Sequence, residues 1–413
     1  MYKIFIFFLT LLLFFSVSIN PYPILVFTIL TLALTTLILK NHSSRLNLEK
    51  VFGSWLLLIM FITANMIFNE KNIDNIFYVS VMLVFLLIFY LIMVDEKLIE
   101  WMNRLFLFFS SIHVVFILLQ SFFPLYVMRI NEIILPANSY MVNYSQVSRG
   151  MFAGITGQVG AAAFYVTIVI AFLSIKLLNN NTFKNRFFYS LGLFLSYYAL
   201  LLTTKRALLM FNIIIFIVLL IFKLIINKSY LEKVIFWAVS LTIFSISILI
   251  FIESFSLFTG SNRYEDFSSG RISLYSETLK IASDNILMGI GFGNIELIMG
   301  EKTHNIYLQF LAEVGVLGIG LLLMSLSIPF FTVLKKIIFI SNNSFSGSDS
   351  FKYRLYLSFY MQLVFIFYGL LGNPLYDYFM FGIYLFFVVL GINTKYEIEK
   401  ENEYEKNWGT YIS

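Results

Sequence analysis

Residues 270–318 read GRISLYSETLKIASDNILMGIGFGNIELIMGEKTHNIYLQFLAEVGVLG, and this stretch contrasts with almost everything around it. It is polar and punctuated by glycine, whereas the flanking chain is nearly continuous hydrocarbon. A membrane protein that gathers its hydrogen-bonding groups in one such block usually keeps its chemistry there. The stretch therefore indicates both the fold class and the place to look for a site.

The composition around this stretch is that of a membrane protein. The 413-residue chain is 60% hydrophobic and only 12% charged, whereas a soluble protein is about 25% charged. A chain this apolar cannot keep its surface in water, so the composition predicts an all-α polytopic membrane protein. The chain has no cysteine, which excludes disulfides and thiolate chemistry. Its net charge of +5 does not indicate nucleic-acid binding, because the Lys and Arg lie mainly in short loops.

Apolar windows of membrane-spanning length recur along the chain and predict about twelve transmembrane helices in a single integral membrane domain, 1–413. A long extracytoplasmic loop, 253–303, would separate the ninth and tenth helices, and another, 124–157, would separate the fifth and sixth. The predicted spans are Ile4–Ile19, Ile24–Leu39, Val51–Phe68, Ile76–Val94, Leu105–Phe123, Gln158–Leu178, Phe187–Leu202, Ala207–Ile226, Val234–Ile252, His304–Leu326, Leu355–Leu371 and Leu375–Ile392.

The distribution of Lys and Arg predicts the orientation. These residues are about twice as frequent in one set of predicted loops as in the other, which places the richer set in the cytoplasm. Both termini, including the polar tail 393–413, are then cytoplasmic, and both long loops face outside. No small-x-small site precedes Asn20-Pro21, which favours an uncleaved first span over a cleaved signal peptide.

A basic corner joins the predicted seventh and eighth spans at Thr203–Arg206, which reads TTKR. The connection is so short that Lys205 and Arg206 must lie near the outer membrane boundary, at the depth of a lipid phosphate. Guanidinium binds phosphate oxygens through paired hydrogen bonds. The alternative interpretation is that both side chains simply snorkel to the interface.

Arg271 opens a short amphipathic segment in the outer loop. Its apolar residues recur at three- and four-residue spacing, which predicts a helix lying on the membrane surface or on the bundle. Ser268 or Ser269 could cap it, and its N-terminus together with Arg271 would form an anion site. The alternative is a surface arginine near a cap. The GIGFGN sequence that follows at Gly289–Asn294 opens no βαβ unit, which favours a tight glycine turn over a nucleotide loop.

Polar residues surround the start of the predicted tenth span. His304 lies at its mouth, and Asn305, Gln309 and Glu313 follow. An imidazole in this position can remove a proton from a sugar hydroxyl; the alternative is a hydrogen-bonded interfacial histidine. Arg149, ahead of small residues that allow close helix approach, is a further outer cation. No second histidine, cysteine or acidic pair lies near, so no metal site is predicted.

In order and spacing, these elements resemble the C-terminal region of the O-antigen ligase and polysaccharide polymerase (Wzy-type) family. The matching elements are Gly270-Arg271, the turn at Gly289–Asn294, His304-Asn305, Gln309, Glu313, and the glycines at 315 and 318. Arg149-Gly150 and Thr203–Arg206 resemble two further family segments. The chain departs from the family at Lys205, where serine is usual, and at Gln158-Val159, where Pro-Asn is common.

The resemblance implies a metal-independent glycosyltransferase without cofactor in a bacterial plasma (inner) membrane. Its donor would be an undecaprenyl-diphosphate-linked oligosaccharide, and its product an O-antigen, capsule or exopolysaccharide chain. His304, Arg271 and Arg206 would then be catalytic, and Arg149, Lys205, Asn305, Gln309 and Glu313 would bind substrate. Membrane lipid, a chain-length regulator and a flippase are the expected partners, and nucleic acid is not one.

The resemblance leaves two functions open, polymerisation of repeat units and ligase-type transfer of finished glycan to another acceptor. Polymerisation is favoured because the sequence has no dedicated acceptor domain. A lipid-linked oligosaccharide flippase or other transporter is an alternative of another class. Transporters usually show paired repeats, broken spans and ionisable residues near the midplane, whereas the ionisable residues here gather at the predicted outer face.

Overall fold

The protein is described by a computed structural model that covers residues 2–19, 23–40, 50–69, 73–179, 182–225, 271–342 and 349–393. These ranges contain helices and turns, and no strand occurs within them. The helices are Tyr2–Ile19, Pro23–Lys40, Lys50–Phe68, Ile73–Ile92, Glu96–Phe122, Pro124–Ile134, Ala137–Ser148, Val159–Asn179, Phe183–Leu202, Arg206–Ile225, Arg271–Asp284, Asn294–Met299, Ile306–Asn342, Asp349–Tyr368 and Tyr378–Ile392, with a 3₁₀ turn at Pro374–Tyr376.

The prediction of an all-helical membrane protein is confirmed at this coarse level. Each predicted span other than Val234–Ile252 coincides with a helix, and that span lies outside the described residues together with 253–270 and 394–413. Within the described ranges, 5 helices are long and apolar enough to cross a membrane. They are Lys50–Phe68, Asn75–Ile92, Glu96–Phe122, Val159–Asn179 and Ile306–Ile340. The count of about twelve spans stays a prediction.

The helix Val159–Asn179 lies at the centre of the bundle, with most of its side chains buried. Its first turn contains Ala161, Ala162 and Ala163, and all three are buried. Small residues there let neighbouring helices approach closely. The helix Tyr378–Ile392 is buried along almost its whole length. Both helices therefore lie in the interior of the described bundle.

The segment 124–157 is more ordered than the predicted loop. It contains two helices, Pro124–Ile134 and Ala137–Ser148, that the sequence pattern did not predict. Buried amides hold them: Asn131 donates to the Asn143 side chain at 3.0 Å and to the Gly154 carbonyl at 2.8 Å. Gln120 accepts from the Gly154 N–H at 2.7 Å. Buried polar groups need such partners, so this network fixes the chain that carries Arg149.

The helix Ile306–Asn342, here called the broken helix, is interrupted at Gly315, where φ is 76° and ψ is −174°. The interruption lets residues 286–291 dock against it. The N–H of Ile290 donates to the Ala312 carbonyl at 3.0 Å, and the N–H of Val316 donates to the Ile286 carbonyl at 2.8 Å. A Cβ at Gly315 would overlap the Leu287 backbone. Glycine is required here by both its positive φ and the close approach.

We expect Gly315→Ala to destabilise the protein by at least about 1–3 kcal/mol, because alanine is strained at this φ and its methyl group meets backbone that cannot rotate away. Gly320→Ala, in the same helix, is the matched control: its Cβ would meet nothing within 4 Å. That variant should gain about 0.5–1 kcal/mol from helix propensity. Thermal unfolding of the detergent-solubilised protein measures both changes, and an equal response of the two variants would contradict this account of the break.

Candidate functional site

The basic corner Thr203–Arg206 is a tight turn between two helices. The Thr203 hydroxyl donates to the Leu200 carbonyl at 2.7 Å and accepts from the Lys205 N–H at 3.3 Å. Thr204 has a φ of 58°, uncommon for a residue other than glycine. Lys205 is half-buried, and Arg206, which is exposed, begins the next helix. The predicted short connection is therefore present, and its geometry is fixed by the threonine side chain.

Arg271 is the first residue of the helix Arg271–Asp284, here called the surface helix. The helix was predicted from its apolar spacing, and the structure confirms it; the expected caps Ser268 and Ser269 lie outside the described residues. One guanidinium nitrogen of Arg271 donates to the Leu371 carbonyl at 3.2 Å. The half-buried arginine is thus fixed against the loop between the last two long helices.

His304 lies between the surface helix and the start of the broken helix. Its φ is 57°, and its side chain is exposed. Its two neighbours are both fixed: the Thr303 N–H donates to the Gln309 side chain at 3.3 Å, and Asn305 caps the helix by accepting from Tyr307 N–H at 3.0 Å. A strained φ persists only where its surroundings enforce it, and such residues cluster at functional sites. Among described residues other than glycine, only His304 and Thr204 have a positive φ.

Electrostatic interactions connect the basic corner, Arg271 and His304, so these three regions of the chain form one site. Partial burial lowers the pKa of His304, and the charges of Arg271 and Lys205 lower the pKa further. Burial likewise lowers the pKa of Lys205, with the charge of Arg271 as the second cause. Each cation disfavours a proton on its neighbours. The arrangement is an electropositive surface that favours the neutral form of the His304 imidazole.

Sequence reasoning missed Tyr368, which ends the helix Asp349–Tyr368 beside this cluster. A Cβ placed on Gly160 would be 3.8 Å from the Lys205 Cε and 3.8 Å from the Tyr368 hydroxyl. The lysine stem and the tyrosine hydroxyl therefore both lie close to Gly160, at the first turn of the central helix. Tyrosine in an apolar span carries no sequence signal of its own, so nothing in the sequence pattern could have placed it here.

Gln309 and Glu313 point into the protein. Glu313 is 0% exposed. Its carboxylate accepts from the Gly293 N–H at 2.8 Å, from the Ile295 N–H at 3.2 Å, from Gln309 at 3.1 Å and from the Tyr376 hydroxyl. Gln309 is 1% exposed and also accepts from Asn373 at 3.0 Å. The geometry therefore gives both residues a supporting role, in which they hold the glycine turn and the chain before His304.

Two asparagines from distant helices hold the other side of the glycine turn, residues 289–294. Asn65 donates to the Met288 carbonyl at 2.6 Å and accepts from the Phe292 N–H at 3.1 Å. Asn75 donates to the Phe292 carbonyl at 2.8 Å. Sequence reasoning missed both residues. The available signal was an amide inside an otherwise apolar helix, because polar groups in spans need partners and are commonly functional.

Arg149 lies apart from the His304 cluster. It is exposed at the end of the helix Ala137–Ser148. Three residues later the Phe152 N–H donates to the Leu202 carbonyl at 3.0 Å, which ties this segment to the basic corner. Among the described residues, neither Arg149 nor Arg206 contributes to the pKa of His304. The structure thus brings Lys205, Arg271 and His304 together, and Arg206 directly follows Lys205 in the basic corner.

The other candidate groups do not add to the site. His113 is buried, with Nε2 3.1 Å from the Phe14 carbonyl oxygen and aromatic rings around it. Across the part of the chain that the structure describes, no group of three or more His, Asp or Glu is arranged to hold a metal ion. The functional groups gathered at this surface are therefore two cations, Lys205 and Arg271, the imidazole of His304 and the hydroxyl of Tyr368.

The chain was compared with known families and proteins. Residues 191–323, about a third of the 413-residue chain, match the family described as O-Antigen ligase. The matched segment contains the basic corner, Arg271, the glycine turn, His304 and the break at Gly315, whereas Arg149 and Tyr368 lie outside it. No curated protein matches the chain significantly. The family resemblance predicted from the motifs is confirmed over residues 191–323, the segment that matches the O-antigen ligase family.

Proposed function

We propose that the protein is a metal-independent glycosyltransferase of the plasma membrane that joins undecaprenyl-diphosphate-linked oligosaccharide repeat units at its outer face. The observation that carries the proposal is the convergence of Lys205, Arg271 and His304 on one surface: the charge of Arg271 lowers the pKa of Lys205, and both cations lower the pKa of His304. A diphosphate donor needs fixed positive charge, and an acceptor hydroxyl needs a base; this surface offers both.

The helix termini strengthen the argument for an anionic substrate. Arg206 and Arg271 are each the first residue of their helices, and neither helix has an acidic residue in its first turn. A helix N-terminus carries partial positive charge and favours anions, so two helices that each begin with an arginine form a surface suited to an anion. A donor diphosphate would bring negative charge to both helix ends.

In the proposed reaction, the acceptor hydroxyl oxygen attacks the anomeric carbon of the donor sugar. The bond between that carbon and the diphosphate oxygen breaks, and the electron pair leaves with the diphosphate. His304 takes the proton of the acceptor hydroxyl, which a neutral imidazole can do. Arg271 and Lys205 stabilise the negative charge that develops on the leaving diphosphate, which is the electrostatic part of catalysis.

Ligase-type transfer of finished glycan to another acceptor is the second candidate, because the matching family carries the description O-Antigen ligase. Both reactions use the same donor chemistry and differ in the acceptor. We favour polymerisation, in which a second lipid-linked glycan is the acceptor. Lipid-linked oligosaccharide transport is the remaining alternative and would leave the glycosidic bonds unchanged.

Reconstitution tests this proposal. The purified protein in proteoliposomes, supplied with undecaprenyl-diphosphate-linked repeat units and EDTA, should form a ladder of longer glycans. The chelator should not reduce the yield, because no metal ligand cluster is predicted at the outer face. Transfer of a glycan of unchanged length to a separate acceptor would indicate the ligase reaction. Lipid-linked units that remain unchanged would contradict the proposal that the protein is a glycosyltransferase. Loss of product that Mg²⁺ or Mn²⁺ restores would contradict metal independence.

The pH dependence should follow the charges around His304. Its pKa is lowered from the ordinary value of 6.5, so the neutral base persists at lower pH, and activity should fall only as pH drops through that lowered pKa. Lys205→Gln removes a charge that lowers the pKa, so the acid limb of the kcat/KM profile should move to higher pH. Glu301→Gln removes a charge that raises the pKa, so the limb should move to lower pH. Shifts in the same direction for both variants would refute His304 as the titrating base.

A further inference from the structure

A polar cavity lies at the end of the bundle remote from the candidate site. It has a volume of about 400 Å³. Its lining comes from the first turns of Glu96–Phe122 and Asp349–Tyr368 and from the last turns of Val159–Asn179. Tyr368, beside the candidate site, ends the helix that starts next to this cavity. Since a helix rises 1.5 Å per residue, Arg354 and Tyr368 are separated by about 21 Å along it.

Three of the four charged residues that line the cavity are basic. Arg104, Lys176 and Arg354 line the cavity together with one carboxylate, Glu100. Arg354 is paired with Glu96 at 2.8 Å, and its side chain is only 4% exposed. The charges of Arg354 and Glu96 cancel in this pair. Of the remaining charged residues in the lining, Arg104 and Lys176 are positive and Glu100 is negative, so the cavity has an excess of positive charge. Helix ends of a membrane bundle lie at the depth of lipid headgroups, where such charge attracts phosphate.

The cavity wall also contains a buried donor. Tyr353 is 7% exposed, and within the described residues its hydroxyl has no hydrogen-bond partner. A buried polar group without a partner is costly, and a bound ligand would supply the partner. The Lys176 ammonium lies over the Tyr353 ring, 4.2 Å from its centroid, which holds the charge at the wall by a cation–π contact. The Tyr353 hydroxyl and the Lys176 ammonium thus provide two hydrogen-bond donors on one side of the cavity.

We propose that this cavity binds a phosphate-bearing ligand, either the headgroup of an anionic phospholipid or a soluble phosphate. Lys176 and Arg104 would contact the phosphate oxygens, and the Tyr353 hydroxyl would donate to one of them. This site is separate from the glycan chemistry proposed above: no residue of its lining belongs to the His304 cluster. Its ligand would bind at the opposite membrane surface from the donor diphosphate.

Binding by the purified full-length protein tests the proposal with two probes. Short-chain phosphatidylglycerol and inorganic phosphate are titrated separately in a neutral detergent, and retained lipid is counted by native mass spectrometry. Lys176→Gln and Arg104→Gln should each weaken binding of the effective probe about fivefold, and Tyr353→Phe should weaken it by a smaller factor. Tighter binding of the lipid identifies a headgroup site, and tighter binding of phosphate identifies a soluble ligand.

Lys97→Gln is the matched control, because Lys97 is exposed on the same helix as Arg104 and does not line the cavity. It removes the same charge from the same end of the bundle. If Lys97→Gln weakens binding as much as Lys176→Gln does, the effect is a general surface charge and the proposal is overturned. Absence of saturable binding for both probes would overturn it too.

Discussion

His304→Ala should stop glycan chain growth while the protein still inserts in the membrane. Removal of a general base costs about 10²–10⁴-fold in rate, and the His304 side chain is exposed, so its loss leaves the core intact. If the protein is a polymerase, single repeat units should accumulate on the lipid carrier or on a capped acceptor. If it is a ligase, long glycan should still form and remain on the carrier. Electrophoresis of the lipid-linked glycan separates these outcomes.

Because the backbone φ of His304 is positive, the test needs two further substitutions at this position. Its φ of 57° strains an alanine, so loss of activity in His304→Ala alone could come from a distorted loop. Asparagine is several-fold enriched at positive φ among residues other than glycine, and glycine adopts it freely. His304→Asn and His304→Gly should therefore keep the loop and still be inactive. Activity in either variant would show that the imidazole is dispensable, and unchanged product in all three would refute the mechanism.

The helical architecture could be predicted from the sequence because lipid leaves the chain few options. Backbone polar groups have no water in the hydrocarbon region, so an apolar stretch of sufficient length must satisfy them as a helix. The surface helix that begins at Arg271 was predictable for a related reason, since its apolar residues recur at helical spacing. The two helices between Pro124 and Ser148 were missed because short polar helices near the interface lack a long apolar run.

Part of the candidate site could be predicted from the sequence, whereas several residues that support it were missed. Arg271, Lys205 and His304 carry chemistry that a motif can reveal, and the structure brings these three together. Asn65 holds the glycine turn through a bond to Met288, and the two residues lie 223 positions apart in the chain. Glu313 illustrates the same limit: a carboxylate following a histidine suggests substrate contact, whereas only the tertiary fold shows that it is buried and accepts four internal hydrogen bonds.

The second large loss of activity is expected when Arg271 or Arg206 is replaced by lysine. Arg271→Lys should reduce activity about 100-fold, comparable to loss of one donor that stabilises transition-state charge. Lysine keeps the positive charge but has no planar fork of donors. In this protein one nitrogen of Arg271 already donates to the Leu371 carbonyl, and the rest of the guanidinium remains to contact phosphate oxygens. A lysine cannot make both contacts in the same geometry. Arg206→Lys should also reduce activity, because Arg206 is the last residue of the basic corner and the first residue of the helix that follows it.

Arg129→Lys is the control for these substitutions. Arg129 is exposed in the helix Pro124–Ile134, on the other predicted outer segment, so the change should leave activity near that of the parent protein. The decisive measurement is the kcat of each variant in proteoliposomes with a lipid-linked donor, after equal insertion has been verified. A phosphate contact that strengthens as the leaving group departs lowers kcat as well as kcat/KM when it is lost. If Arg271→Lys raises KM alone, the arginine only binds the donor; if it behaves like Arg129→Lys, Arg271 has no role in stabilising the diphosphate.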